Sequence, residues 1–293
     1  NEASRTTWRL FGNVIWDIND RNTIDIGVLA EKADDTDRSI SPRITWIFSP
    51  SKQHTFRAGY SRAVRNPFIL EQDGEVFLSQ EITVGGSGTG LYAEDYILLN
   101  QNDLRSERIT SIELGYYGKY LQDDMSVNIR LFQDELDGLI FSPHVATTAT
   151  PDIEGLAFIY DNLFATRVRG LEVELDYRLT RDTRLFTSGA LIGITSRDDP
   201  RTGKSREYEE SAPDTSLSLL AMHDFNELYS GSLGFYYVGD MSWMDVNNAG
   251  VSGRRNTGGY EKLDLRLLRH FRFGRDRVST AIVLQNLLGE YSD

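Results

Sequence analysis

Few residues in this 293-residue chain have the types and spacings that could do chemistry. Glu172 and Glu174 stand two apart in GLEVELDYRL, Gly170 to Leu179. An extended chain would set both carboxylates on one side, at a separation a glycosidase could use for its acid and its nucleophile. The same acids would pair with Arg130 or Arg57 on neighbouring strands if they only hydrated a polar wall, and the residues favour that reading. Ser142 and His144 share a face in FSPHVATT, as a lipid-facing serine hydrolase would need, but they flank Pro143 in a stretch with no lipid-facing pattern. His54, His223 and His270 fall at or near short turns. ADDTD, Ala33 to Asp37, has oxygen ligands without the spacing of a calcium loop. GGSGTG, Gly85 to Gly90, lacks the lysine and the strand-to-helix setting of a phosphate loop and reads as a loop tip. No catalytic residue, metal site or cofactor is expected.

The elements that must position these side chains are strands. GLEVELDYRL places Leu171, Val173, Leu175 and Tyr177 opposite Glu172, Glu174 and Asp176, the period-two pattern of one apolar and one wet face. The same alternation runs through about twelve segments of roughly 9 to 12 residues. They are Thr6 to Trp16, Thr23 to Glu31, Arg43 to Phe48, His54 to Arg62, Arg108 to Lys119, Met125 to Phe132, Gly170 to Leu179, Arg184 to Thr195, Thr215 to His223, Leu228 to Val238, Tyr260 to Leu268 and Val278 to Asn286. Short turns (DINDRN, SPSKQ, YLQDD, TRDT, DFNE and RHFRFGRD) alternate with long polar connections, the longest from Ala63 to Glu107. Short turns therefore collect at one end of the sheet and long loops at the other.

Strands of soluble sandwiches run about 5 or 6 residues, whereas a tilted strand crossing a bilayer needs about 9 to 11. The longer figure fits. The faces opposite the apolar ones carry Glu, Asp, Arg, Asn, Ser and Gly on nearly every strand, as a hydrated lumen would, with Arg57, Glu113, Arg130, Glu172 and Glu174 among them. Trp8, Trp16, Trp46, Tyr60, Tyr116, Tyr177 and Tyr236 recur near strand ends, where an amphipathic ring suits lipid headgroups. No repeat of about 40 residues with a blade signature is visible, and no strand–helix alternation. The fold class expected is all-β: an antiparallel up-and-down transmembrane β-barrel, here a partial barrel of about twelve long strands.

Composition narrows the partners. No run of about 18 uncharged apolar residues occurs, so a membrane role must go through strands. The 44 acidic against 31 basic residues give a net charge of −13, which argues against nucleic acid as a partner, because a phosphate-binding surface needs a positive face and no basic stripe occurs in the sequence. The absence of cysteine removes disulfides and thiolate metal sites. NEASRTTWRLFG has no leader pattern, and the chain is expected to start in mid-protein.

ISPRITWIFSPSKQHTFRAGYSRAVRNPF, Ile40 to Phe68, resembles the barrel of TonB-dependent outer-membrane receptors. LRSERITSIELGY, RVRGLEVELDYRL, YEKLDLRLLRHF and VLQNLLGEYSD resemble, in the same order, later strands of that barrel. The resemblance covers essentially the whole chain. It implies that residues 1–293 are one β-barrel domain fragment, lacking the plug, the early strands and the terminal strand. It implies a multi-pass barrel in the outer membrane of a Gram-negative bacterium, surrounded by lipid and lipopolysaccharide. External loops would capture a small-molecule ligand, an iron chelate such as a ferric siderophore, and the missing plug would engage the TonB energy-coupling complex. On those loops Tyr92, Tyr96, Tyr160, Tyr208 and Trp243 offer apolar surface, and Arg65 and Arg254 offer charge for an anionic ligand. A passive porin and a soluble all-β carbohydrate-binding or hydrolytic protein are the alternatives. In detergent the folded barrel is expected to show heat-modifiable migration on gels. The soluble alternative predicts expression in water without detergent and no such shift.

Overall fold

A strand that alternates in polarity has one face that must leave water, and pairing such strands in register gathers the apolar sides together. The computed structural model describes residues 4–84, 87–99, 104–141, 144–150, 153–197, 209–243, 255–274 and 276–289. Strand β1 (Thr7–Asn19) turns through Asp20 and Arg21 into β2 (Asn22–Ala33), with Asn19 Oδ1 accepting from the Arg21 amide at 3.0 Å. The next hairpin is β3 (Ser39–Ser51) with β4 (His54–Arg65). A short helix α1 (Ile69–Asp73) follows, then β5 (Val76–Val84) and β6 (Ser87–Leu99). Next come β7 (Glu107–Tyr120), β8 (Met125–Phe141), β9 (His144–Thr150) and β10 (Ile153–Ile159). The chain continues as β11 (Asp161–Arg178), β12 (Thr183–Ser196), β13 (Thr215–Asp224) and β14 (Tyr229–Val238). It ends with a short pair, β15 (Met241–Trp243) and β16 (Arg255–Thr257), and a hairpin of β17 (Tyr260–Phe273) and β18 (Asp276–Leu284).

Twelve strands form one antiparallel sheet in the order β1-β2-β3-β4-β7-β8-β11-β12-β13-β14-β17-β18. Each neighbour is the next of these strands in sequence, so every tight turn lies at one end and every long connection at the other. The sheet is open, with β1 and β18 at its edges.

Register sorts the side chains. One cross-strand row reads Phe56, Tyr116, Ile129, Val173, Gly189, Leu217 and Tyr237 from β4 to β14. One residue over, the other face reads Arg57, Gly115, Arg130, Glu172, Ala190, Ser216 and Val238. Among the described residues no second layer covers the apolar face. Trp8 is 73% exposed, Leu131 49% and Ile282 63%, and among the described residues Ala33 and Leu98 are the buried hydrophobic side chains. A water-soluble domain of this size would bury most of its large aliphatic residues, so a low-dielectric solvent must replace the missing layer.

The apolar band drifts across the register. Tyr60 and Ile112 pair on β4 and β7, but the same row continues into Gln133 on β8 and Arg169 on β11. At the other end of the band, Tyr237 on β14 faces Glu261 on β17. A level membrane boundary cutting inclined strands produces this drift.

Four features differ from the sequence expectation. The turn after β3 shrinks to Lys52 and Gln53 because an irregularity between Phe48 and Ser51 absorbs Pro50, which has no N–H for the ladder. The RHFRFGRD segment is mostly strand, since β17 runs to Phe273 and Gly274, at φ +63°, opens a tight turn. Tyr236 faces the polar side, paired with Ser218 and Lys262, while Tyr237 takes the apolar side. The long connections are also not irregular throughout. β5, β6, β10 and β9 form a four-stranded sheet in which β6 and β10, from different loops, pair in parallel through Leu98 and Phe158.

In the full receptor carrying this chain, folded into lipid vesicles, Val173→Arg is expected to lower the unfolding free energy by about 2–4 kcal/mol. Glu174→Arg, one residue away on the other face, should cost under about 1 kcal/mol. Equal losses in denaturant titrations would mean that both faces meet water.

Candidate functional site

The polar face concentrates charge in one transverse ladder. Arg57 Nε lies 3.2 Å from Glu113 Oε1, Arg130 Nε 3.1 Å from Glu113 Oε2, and Arg130 Nη1 3.2 Å from Glu172 Oε2. Asn128 Nδ2 donates to Glu174 Oε2 at 3.3 Å. Signs therefore alternate across β4, β7, β8 and β11, and each carboxylate already has a partner. Two glycines let these side chains lie flat on the wall. A Cβ at Gly59 would sit 2.9 Å from Glu113 Cγ, and one at Gly115 would sit 3.3 Å from Arg57 Nε. All four charged residues are between a quarter and a half exposed, so each pair contributes about 0–1 kcal/mol. The ladder orders and wets the wall more than it stabilises it. Glu172 and Glu174 share a face but not a closed pocket, which leaves the glycosidase arrangement without support.

Beside the ladder is an open recess of about 560 Å³, reached by Glu172, Glu174, Ser188, Ser216, Ser218 and Tyr236. Ser188 and Ser218 share a hydrogen bond of 2.7 Å. Lys262 Nζ stands 5.5 Å from the centre of the Tyr236 ring and 2.8 Å from Asp264. This hydroxyl-lined area could hydrogen-bond a polar surface laid against the wall. The alternate serines of TSLSLL were its only trace in the sequence.

At the long-loop end, Arg65 closes β4. It lies beyond the apolar band, because Arg62, three residues earlier, already puts charge on the lipid side of the strand. Its guanidinium bonds to Glu107 on β7 and, at 3.0 Å, to Glu71 in α1. Glu71 also accepts from the Phe68 amide at 2.8 Å, and Phe68 places its ring 5.1 Å under the Arg65 guanidinium. Glu107 in turn accepts from the Ile140 amide at 2.7 Å. Asn66 donates to Glu31 and accepts from Ser106, while Arg5 bonds to Asp35, the Pro67 carbonyl and Gln72. Arg65 is thus a clasp between loop and rim. Its partner Glu107 was missed in the sequence because nothing local marks a pairing across 42 residues, whereas Glu71 is only six residues away.

Glu107 is partly buried, which pushes its carboxyl up, but the Arg65 hydrogen bond, the Ile140 amide and the Arg65 charge outweigh this and hold it below the usual carboxylate range. The Glu107 hydrogen bond, opposed by partial burial and helped by Glu71, raises Arg65.

Of the other expected ligand residues, Tyr92 and Tyr96 stand on β6 opposite Glu81 and Phe77, and Tyr160 links β10 to β11. These three belong to the four-stranded loop sheet or border it. Trp243 ends β15 opposite Arg255, in a separate hairpin. Tyr208 and Arg254 lie outside the described residues, as do Ser142 and Pro143.

Comparison with known proteins gives a consistent picture. The profile described as TonB dependent receptor-like, beta-barrel matches residues 1–287. No curated protein matches. Among solved structures, a variant of the ferric enterobactin receptor PfeA from Pseudomonas aeruginosa is 17% identical, with a TM-score of 0.73, over 98% of this chain and 40% of that one. The siderophore receptor PirA from Pseudomonas aeruginosa is 16% identical, with a TM-score of 0.69, over 98% and 46%. PirA from Acinetobacter baumannii is 15% identical, with a TM-score of 0.68, over 97% and 41%. The chain spans less than half the length of these receptors. At such identities the likeness is one of fold.

The clasp has a pH signature. A carboxyl whose folded value is depressed contributes stability that is fully present above its unfolded value and is lost as pH falls through the folded one. Hydrogen exchange at the Ile140 amide, corrected for intrinsic rates, should stay slow through the ordinary carboxylate range and quicken only at more acidic pH. Glu107→Gln should speed this exchange about tenfold at neutral pH, through loss of a charge-assisted bond of about 1–2 kcal/mol. Unchanged exchange in the variant would show that Ile140 is held by the sheet alone.

Proposed function

The chain belongs to the TonB dependent receptor-like β-barrel family, and on that premise we propose that it forms part of the wall of an outer-membrane receptor for a scarce nutrient, a ferric siderophore or similar iron chelate. The family match over residues 1–287 carries this reading, and the architecture supports it: one apolar face with no protein layer over it among the described residues, one charged face, and long connections at a single end. The family is one of receptors and transporters, not a class of enzymes. PfeA and PirA, which share the fold, are named as receptors for ferric enterobactin and for siderophores.

In this reading the cell outer membrane of a Gram-negative bacterium, with its lipid and lipopolysaccharide, surrounds the apolar face. Arg57, Glu113, Arg130, Glu172 and Glu174 line the interior. Ligand capture falls to the loop end, where Tyr92, Tyr96, Tyr160, Tyr208 and Trp243 supply flat apolar surface and Arg254 supplies charge. Arg65, clasped between two carboxylates, positions the loop that begins at α1 and contributes to the ligand through that loop. Energy coupling through TonB belongs to parts of the receptor outside this chain.

The test uses the full receptor that contains this chain, expressed in a host lacking its own iron-chelate receptors, with radio-iron-labelled ferric enterobactin as the probe. Accumulation should stop when the proton gradient is dissipated, and Tyr96→Ala with Trp243→Ala should weaken cell-surface binding by roughly tenfold. Uptake that persists without energy would identify a passive channel. Absence of binding to every iron chelate tried would remove iron from the reading.

A further inference from the structure

Tyr236 is out of place on a polar wall, since its neighbour Tyr237 takes the apolar side where a ring gains most. Its phenol end lies over Gly234, where a Cβ would sit 3.2 Å from Tyr236 Cε2 and from its Oη, so the ring runs along the wall. Tyr260 joins it on the same face. Tyr236 pairs with Lys262 and Val238 with Tyr260, which sets the two tyrosines diagonally on β14 and β17. Tyr260 is 49% exposed. Both rings border the recess of about 560 Å³, a volume within the roughly 300–1,000 Å³ of small-molecule sites. Across β12 and β13 from them, Ser188, Ser216, Glu172 and Glu174 border the same recess. It lies toward the long-loop end, because Val238 and Tyr260 are the last pair of β14 and β17 before the connection that carries Trp243.

The charges around the recess select what can enter. Glu172 is held by Arg130 at 3.2 Å, and Lys262 by Asp264 at 2.8 Å. Among the described residues Glu174 has no cationic partner and accepts only from the Asn128 side-chain amide, at 3.3 Å. The uncompensated group is therefore a carboxylate, which repels an anionic iron chelate, while the Lys262 ammonium opposes a cation. A flat aromatic ligand would satisfy the tyrosines and leave Glu174 and the serines unmatched. A sugar ring answers both sides: its hydroxyls donate to Glu174 and to the serine oxygens, and its C–H face lies against tyrosine rings whose faces are electron-rich. We propose that the recess binds a neutral saccharide, one ring against Tyr236 and Tyr260 with its hydroxyls on Ser216 and Glu174. The inference rests on the reading that this face lines the interior of a receptor, and not on iron as the cargo.

The experiment uses the full receptor that contains this chain, purified in a detergent without sugar groups and titrated by calorimetry with maltohexaose, cellohexaose and the anionic hexagalacturonate. The wild type should bind at least one of the two neutral oligomers, at least tenfold more tightly than the anionic one. Tyr236→Ala with Tyr260→Ala should lose at least tenfold in that binding, whereas Tyr236→Phe, which keeps the ring, should stay within about threefold of wild type. Ser216→Leu, which narrows the recess and leaves both tyrosines in place, should lose at least fivefold. All variants should keep heat-modifiable migration and cell-surface binding of ferric enterobactin, so a failure of the saccharide site is separable from a failure of the receptor reading. Lack of binding to either neutral oligomer, as when another part of the receptor covers the recess, would overturn the proposal. So would equal binding of the anionic oligomer, or wild-type affinity in the double variant and in Ser216→Leu.

Discussion

Hydrocarbon offers no hydrogen bonds, so a strand can face lipid only if its neighbours satisfy its N–H and C=O groups. The ladder from β1 to β18 meets that demand across twelve strands, and the rest of the structure depends on its register. A slip of one residue would send Arg57, Arg130 and Glu172 into the lipid and Ile129 and Val173 into the interior. The cost of a buried charge and of a wetted aliphatic chain both oppose that slip. The two open edges are the places where the demand is unmet within this chain, and a chain spanning less than half of the related receptors leaves room for further staves to meet it.

On the polar face the problem is reversed, because long charged side chains must stay ordered without a core to pack against. Alternating signs across β4, β7, β8 and β11 solve it laterally, and the glycines at 59 and 115 give those side chains somewhere to lie. Farther along, short hydroxyl side chains on β12 and β13 keep the wall low and open a recess. The polar face therefore has a braced half and a smoother half.

The loop end is more organised than its polar composition suggests. Arg65, Glu71 and Glu107 tie the start of the longest connection to the rim, and the parallel pairing of β6 with β10 joins that connection to the next one. Tyr92, Tyr96 and Tyr160 thus sit on or beside a shared sheet instead of on independent loops. A ligand held there would contact surfaces whose spacing is set by backbone hydrogen bonds.

The sequence determined which residues alternate, hence the strand type, the two faces, the approximate number of strands and the end at which the long loops collect. Those properties are local: a period of two survives whatever the strand pairs with, and Gly, Asn and Pro mark turns by their own dihedral preferences. The polar placement of Arg57, Glu113, Arg130, Glu172 and Glu174 was legible for the same reason, whereas Tyr236 was misplaced because either of two adjacent tyrosines could have taken the apolar side. Only the tertiary structure decided that Arg65 is clasped to Glu107 on β7 and that two distant loops share a sheet. Each of these joins residues far apart in the chain. Such pairings are fixed by register and loop closure across many strands, and no short stretch of sequence records them.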